Sequence, residues 1–324
     1  MSKRIEQVAR GFEDLNPGLF RRHEFKTAEA EAITYSNYSY WRSTWKAFIK
    51  HKIAVFLLCL IAVLLLFTVI QPLLPDQKDP NYININAETG YQDLNVQPCK
   101  EYWFGTDAVG HDLWARIWSG TRTSLLLALI VAVFNCIFGI TIGVLWGYVR
   151  KLDALLTEVY NIIDNIPRTI ILILISYIMQ PGMLTMIISM CVVGWLGMAR
   201  FIRNQIVMIR DRDYNLASRC LGTGTGKIMI RNLLPYLVSV IMLQTALAIP
   251  AVISDEVFLT YCGLGMPKSV ASLGNLVEDG RKVMMSPTQS YQLIFPALVV
   301  SFITVAFYLI GNAFADASDP RNHV

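Results

Sequence analysis

Charge is scarce in this 324-residue chain: only 16% of its residues are Asp, Glu, Lys or Arg, while 54% are apolar. An ordinary soluble domain is about 25% charged, so the composition excludes a typical water-soluble protein and points to a membrane protein. Histidine is scarcer still, with four at positions 23, 51, 111 and 323, and neither H-E-x-x-H nor G-x-S-x-G occurs. A membrane-embedded hydrolase would need such a set. The six cysteines (59, 99, 136, 191, 220 and 262) lack C-x-x-C or His/Cys spacing, which argues against a metal site. Those in apolar runs read as small hydrophobes, and Cys99 and Cys262 are the one pair considered for a bridge. No cleavable signal peptide is expected, because the first long apolar run follows about fifty polar residues and exceeds a signal h-region. The net charge of +4 is too small to argue for a nucleic-acid partner, and none is expected.

One stretch imitates a nucleotide site. Leu221–Ile228 reads LGTGTGKI, but a phosphate-binding G-x-x-x-x-G-K-[ST] loop aligned on Gly226-Lys227 needs Gly at Leu221 and Ser or Thr at Ile228. Two of its four fixed positions fail, so no ATP site is expected here.

Long apolar runs are what the chain has in abundance. A crossing helix needs about 20 mostly apolar residues, and six runs qualify: Ile53–Leu74, Ser124–Val149, Leu155–Met179, Leu184–Phe201, Leu234–Ile253 and Leu293–Phe314. The third is interrupted near its start by Asp164 and Pro167. With the N-terminus inside, the loops carry 20 Lys and Arg on the cytoplasmic side and 7 outside, leaving Arg168 unassigned. Both termini are then cytoplasmic. Before the first span, Trp41, Trp45, Phe48 and Ile49 share one helical face opposite Arg42, Lys46 and Lys50, which suits an interfacial helix; a cytosolic helix packed on a partner is the alternative. Residues 1–34 read as a loosely ordered arm. Gly139, Gly143 and Gly147 recur every four residues and predict a close helix–helix seam, within the chain or with a partner.

The loop between the fourth and fifth runs carries the most local information. Asp213 reads as the N-cap of a short helix over Tyr214–Leu221. Leu216, Ala217, Cys220 and Leu221 form its apolar face, opposite Asn215, Ser218 and Arg219. Gly222 reads as its left-handed stop, Gly224 and Gly226 as bends, and Thr225 as the cap of a second helix running to Leu234-Pro235. Such an apolar-faced helix must be covered, by its own chain or by another.

The run D-Y-x-x-A-S-R-x-L-G followed by I-x-x-R-N-x-L-P resembles the EAA loop of binding-protein-dependent ABC importer permeases. Within that family the chain looks most like the C-type permease of oligopeptide and dipeptide systems. The matched positions are Asp213, Tyr214, Ala217, Arg219, Leu221, Gly222, Ile228, Arg231, Leu234 and Pro235; Leu216 stands at the motif's glutamate and Ser218 at its second alanine. YWFGTDAVGHDLWARIWSGTRTSL (102–125), EVFLTYCGLG (256–265) and ADASDPR (315–321) resemble further segments of the family in the same order.

The resemblance implies an all-α polytopic membrane protein of the type I ABC importer permease fold, with six transmembrane helices, an N-terminal interfacial helix and a cytoplasmic coupling helix. It implies an arm and interfacial helix over 1–52, a first span and outer loop over 53–123, a permease core over 124–315 with a coupling loop at 203–233, and a tail over 316–324. It also implies a non-catalytic chain in a bacterial plasma membrane that carries oligopeptides. The expected partners are membrane lipid, a second homologous permease, two cytoplasmic ATPase subunits that hold the ATP and magnesium, and an extracytoplasmic peptide-binding protein; no cofactor is expected on this chain. Coupling residues would be Asp213, Tyr214, Leu216, Ala217, Ser218, Arg219, Leu221, Gly222 and Pro235.

Asp255, Glu256 and Asp164 are candidates for the translocation path, because ionisable groups at membrane depth usually face a bundle interior or a cavity. The competing reading leaves Asp255 and Glu256 solvated at the outer mouth. Asp107, Asp112 and Arg116 read as a hydrogen-bonded fold of the outer loop or a contact for the binding protein. Dipeptides, nickel or another small solute are alternative cargoes. An ion-coupled secondary transporter using Asp255 and Glu256 is the different-class alternative.

Overall fold

The computed structural model describes residues 40–75, 77–86 and 90–318. The chain divides into two units, Met1–Arg42 and Ser43–Val324. Of the first, only the opening of helix α1 is described; every later element belongs to the second. The arm expected over 1–34 and the end of the tail lie outside the described residues.

Helix α1 spans Tyr40–Lys50 and α2 Lys52–Ile70, closed by a 3₁₀ turn at Gln71–Leu73. After the outer segment come α3 (Leu113–Tyr148), α4 (Arg150–Asp164), α5 (Arg168–Met179) and α6 (Met183–Ile209). Two short helices, α7 (Asp213–Cys220) and α8 (Thr225–Ile228), lead through a π-helical turn at Met229–Leu233 into α9 (Leu234–Tyr261). Helices α10 (Leu273–Lys282) and α11 (Tyr291–Ser318) complete the order. Among the described residues the only β-structure is isolated bridges, all between Ile83 and Asp112.

Five of these helices are long and apolar enough to cross a bilayer, and the bent pair α4–α5 makes a sixth crossing only if counted as one span. The run Leu155–Met179, expected to be interrupted near Asp164 and Pro167, is split there into two helices bent by 76°. Proline is the cause. It disfavours helical conformation in the residue before it, so α4 ends at Asp164 and Pro167 itself sits extended (φ −53°, ψ 125°) before α5 begins. With 12 residues, α5 rises about 18 Å, short of a hydrocarbon core about 30 Å thick. Helix α3 departs the other way. It begins at Leu113 rather than Ser124 and has 36 residues, about 54 Å at 1.5 Å per residue. It therefore runs across the boundary expected at 123/124, just as α11 runs past that expected at 315/316.

The face expected for α1 is divided. Phe48 is buried and packs in a tilted pair with Phe314, ring centroids 5.5 Å apart, while Trp45 and Ile49 are exposed. The side chain of Trp41 lies outside the described residues.

The bundle centres on the α3–α6 pair, and glycine sets its spacing. A Cβ on Gly139 would fall 2.5 Å from Met198 Cβ, one on Gly143 2.6 Å from the Ala199 carbonyl oxygen, and one on Gly147 2.7 Å from Ile206 Cβ. The neighbouring helix lies within this chain, and α6 occupies the space side chains would need. Lipid tails give helices no hydrophobic reason to associate, so contact at this range supplies the attraction. Above the seam, Leu127, Val131, Met186, Met190, Ile253 and Ile303 join the spans in a buried cluster. Below it, Val144, Ile202, Ile206, Ile228, Leu233 and Leu237 form a second cluster that carries the α7–α8 loop.

Candidate functional site

The loop holding α7 is built from polar contacts on its inner side. Arg212, in extended conformation, precedes the helix, and its carbonyl accepts from Asn215 N (2.9 Å) and Leu216 N (3.1 Å). Asp213, expected as the N-cap, is the first helical residue; its carboxylate makes no capping bond but suits the positive end of the helix dipole. Thr225 is likewise one residue inside its helix, behind Gly224. At the C-terminus the expectation holds in detail. Gly222 takes φ +77°, Gly222 N donates to Arg219 O (2.9 Å) and Thr223 N to Ser218 O (3.0 Å). These two bonds form a Schellman stop. Gly224 and Gly226 do not take positive φ, so neither needs to be glycine for that reason.

Which face of α7 points inward inverts the ordinary rule. Asn215 is fully buried; its amide donates to Ile209 O (2.9 Å), and its carbonyl accepts from Asn232 Nδ2 (3.2 Å). Asn232 also donates to Ser218 Oγ (3.2 Å). Arg219 lies over the Tyr148 ring, donates to its hydroxyl (3.2 Å) and to Arg210 O (3.2 Å), and reaches Asp211 at 3.6 Å. The apolar residues Tyr214, Leu216, Ala217, Cys220 and Leu221 face out, Leu221 being 86% exposed. The fold thus spends its polar groups holding the helix down and leaves the greasy face bare. Pro235 follows in the first turn of α9, where a missing N–H costs nothing.

Within the spans the three acidic candidates have different fates. Glu256 is fully buried, so its expected solvation at the outer mouth is corrected. Its Oε1 accepts from Ser124 Oγ (2.8 Å) and Gly274 N (3.2 Å), and Ser124 Oγ in turn accepts from Leu273 N (2.9 Å). This carboxylate ties α9 to α3 and to the start of α10. Asp255, one residue away and so on another face, forms an ion pair with Arg168 at the start of α5 (2.5 Å). Asp164 pairs with Arg200 (3.2 Å) on an exposed surface, and Arg200 also donates to Tyr160 OH (2.8 Å). A cleft of about 310 Å³ lies between α3, α6 and α9 and includes Arg168, Asn135 and Gln244. A second, of about 210 Å³, includes Tyr160, Asp164 and again Arg168. Asp164 and Arg168 therefore share a cleft, whereas Glu256 lines neither.

Sequence reasoning left Arg168 unassigned, although a lone cation in an apolar run was itself a signal. It also set Asn215 opposite the apolar face of α7 without fixing which face turns inward, and nothing in the pattern could have decided that.

At the end opposite α7, Asp107 organises the segment before α3. Its Oδ1 accepts from Val109 N and His111 N (2.9 Å each), and its Oδ2 meets His111 Nδ1 (2.9 Å) and Arg116 (3.2 Å). Buried Arg116 also donates to Lys268 O (3.1 Å), joining the segment before α3 to the loop before α10. Asp112 caps α3 by accepting from Ala115 N (3.2 Å), and burial raises its carboxyl above the usual range. Cys99 and Cys262 are both free. Asp107, Asp112 and Arg116 thus hold the loop fold.

Crossing helices packed on a glycine seam, clefts between them and a bare apolar helix at one end define a polytopic membrane transport subunit. Residues 139–324 match the family described as binding-protein-dependent transport system inner membrane component, and residues 39–92 match the N-terminal TM domain of oligopeptide transport permease C. The chain belongs to the binding-protein-dependent inner membrane components. It is 38% identical to the oligopeptide transport system permease protein AmiD of Streptococcus pneumoniae, over 91% of this chain and 94% of that one. It is 32% identical to the dipeptide transport system permease protein DppC of Bacillus subtilis, over 93% and 92%. A chain from the inward-facing MetNI methionine ABC transporter shares the fold, with a TM-score of 0.50 and 19% identity over 62% of this chain and 96% of that one. This chain is a non-catalytic permease subunit of an ABC importer, in which hydrolysis belongs to separate ATPase subunits.

Proposed function

We propose that the chain forms, with a second homologous permease, the path by which peptides delivered by an extracytoplasmic binding protein enter a bacterial cell. Helix α7 is the coupling helix, seated on one of two cytoplasmic ATPase subunits that bind ATP and magnesium. The α7 end and both termini are cytoplasmic, in keeping with the Lys and Arg distribution, and the Asp107–Arg116 end faces the binding protein. The names of the relatives support oligopeptides as cargo, with dipeptides as the second reading.

The observation that carries this reading is the inverted face of α7. Fully burying an exposed Leu side chain is worth about 1.5–3 kcal/mol; Leu221, 86% exposed, leaves most of that gain unrealised in the isolated subunit, and Leu216, 42% exposed, leaves part of it. A partner groove collects it. A ligand can shift a two-state element only by contacting its states differently, and ATPases closing on ATP do so through this helix. Leu216→Asp and Leu221→Asp fall on the exposed face of α7 and should leave the subunit's thermal unfolding little changed while ATPase subunits no longer co-purify. Stoichiometric ATPases with intact ATP-driven uptake in both variants would contradict the assignment.

A further inference from the structure

A cavity of about 530 Å³ opens at the end opposite α7, between the segment before α3, the loop before α10 and α10 itself. Its charged lining is Asp107, Arg116, Lys268, Asp279 and Lys282, with His111 beside them. Among the Asp, Lys and Arg residues, three cations thus face two carboxylates. Asp107 is engaged by buried Arg116 (3.2 Å). Lys268 and Lys282 are placed differently. Both rest on the same oxygen, Asp279 Oδ1, at 2.6 and 3.2 Å, and both side chains are more than half exposed. Lys282 also approaches Glu278 at 3.7 Å, but that carboxylate is held by two bonds from Arg281 (2.9 and 3.1 Å). One carboxylate cannot neutralise two ammonium groups, so a positive charge is left over at the mouth. Ala108, Val109 and Val283 give the cavity an apolar wall beside it.

We propose that this cavity receives an acidic side chain from the docking surface of the extracytoplasmic binding protein, its carboxylate bridging Lys268 and Lys282. The inference rests on the peptide-import reading, which turns this end toward the binding protein, and names the contact made there. Charge complementarity carries it. Two ammonium groups that share one acceptor gain from a second, and the apolar wall suits the stem of a glutamate better than bare solvent does. Because the lysines stand at the rim, they escape most of the desolvation cost that a buried ion pair meets. Their charge also acts at a distance, raising the rate at which an acidic patch finds its place. The mouth is built before anything docks: Arg116 holds Lys268 by its main-chain carbonyl (3.1 Å) and is itself fixed by Asp107. A receptor shaped in advance loses less of its contact energy to ordering. Through Arg116 the seated side chain bears on the first turn of α3 and on the loop before α10 together.

The test uses the complete complex, with both permeases and the ATPases, in proteoliposomes, and the system's own binding protein loaded with one labelled peptide. Stimulated ATP hydrolysis is measured against binding-protein concentration. Lys268→Gln combined with Lys282→Gln should raise the half-saturating concentration about tenfold, or 1.4 kcal/mol, and leave the rate at saturation near that of wild type. Asp279→Asn should lower the half-saturating concentration, because it frees both lysines for the incoming carboxylate. A merely structural cluster would instead dock more weakly whichever member is lost. Added salt should weaken wild-type docking more than docking to the double variant. An unchanged half-saturating concentration in the double variant, or weaker docking in Asp279→Asn, would overturn the proposal. So would a loss seen with the free-ended peptide and absent with its C-terminal amide, since the carboxylate would then be the cargo's. A wild-type complex that hydrolyses ATP but takes up no peptide with the binding protein present would instead overturn the peptide reading beneath it.

Discussion

Gly222 offers a perturbation whose size follows from geometry alone. Its φ of +77° lies where an L side chain meets the backbone, at a cost of about 1–2 kcal/mol per residue. Nothing else opposes a side chain there, because a Cβ would find no heavy atom within 4 Å. Backbone strain is therefore the whole effect, which separates it from loss of packing. It acts on the two bonds that stop α7, from Gly222 N and Thr223 N, each worth about 0.5–1.5 kcal/mol net. A penalty of one or two kcal/mol shifts a local equilibrium about 5–30-fold. Asn tolerates the left-handed region better than other residues, and a β-branched side chain tolerates it worst. The expected order of damage is Gly222→Asn, then Gly222→Ala, then Gly222→Val. The assay is uptake per ATP hydrolysed by the reconstituted complex, with subunit stoichiometry measured alongside. Gly222→Val should uncouple or disassemble the complex, while Gly222→Asn stays near wild type. Full coupling in Gly222→Val, or equal loss in all three variants, would refute the argument from φ.

Two predictions concern carboxylates. Glu256→Gln keeps an acceptor for Ser124 and Gly274 and should leave cargo affinity unchanged, whereas Glu256→Leu strands the buried Gly274 N–H and should lower thermal stability by about 1–3 kcal/mol. Altered peptide affinity in the glutamine variant would return Glu256 to the path. Glu278 is held below the usual carboxylate range chiefly by its hydrogen bonds to Arg281, with Lys282 and Lys268 assisting. Its stabilising contribution is present above the unfolded value of 4.5 and is lost as the pH falls through the depressed folded value. Glu278→Gln should flatten that part of the acid limb of a thermal-stability profile, and an unchanged limb would show the pairing to be without consequence.

The sequence made some features legible and withheld others for definite reasons. Long apolar runs announce spans because a continuous apolar segment in lipid satisfies its own backbone by coiling into a helix, and a four-residue glycine repeat announces a seam because it marks one helix face. Pro167 announced an interruption, but not that α4 and α5 would meet at 76°. The face of α7 was legible only up to a sign. Periodicity groups Leu216 with Ala217 and sets Asn215 opposite, yet says nothing of which group points in. That was decided by partners distant in sequence, Ile209 O and Asn232. Adjacent Asp255 and Glu256 were indistinguishable for the same reason. Neighbours in a helix point about 100° apart, and only the third dimension gives one a serine and a backbone amide and the other an arginine.

The length of α3 has a mechanical meaning. Its N-terminal turn is fastened to the preceding segment by Leu113 N, which donates to Gly105 O, and by Arg116, which donates to Asp107, and its last residue, Tyr148, is the platform for Arg219 beneath α7. Between those points run 36 residues without proline. A torque applied at Tyr148 meets no joint before it reaches the outer loops, and a load on those loops returns by the same axle. Any coupling that docking partners impose through this helix would be equal in both directions.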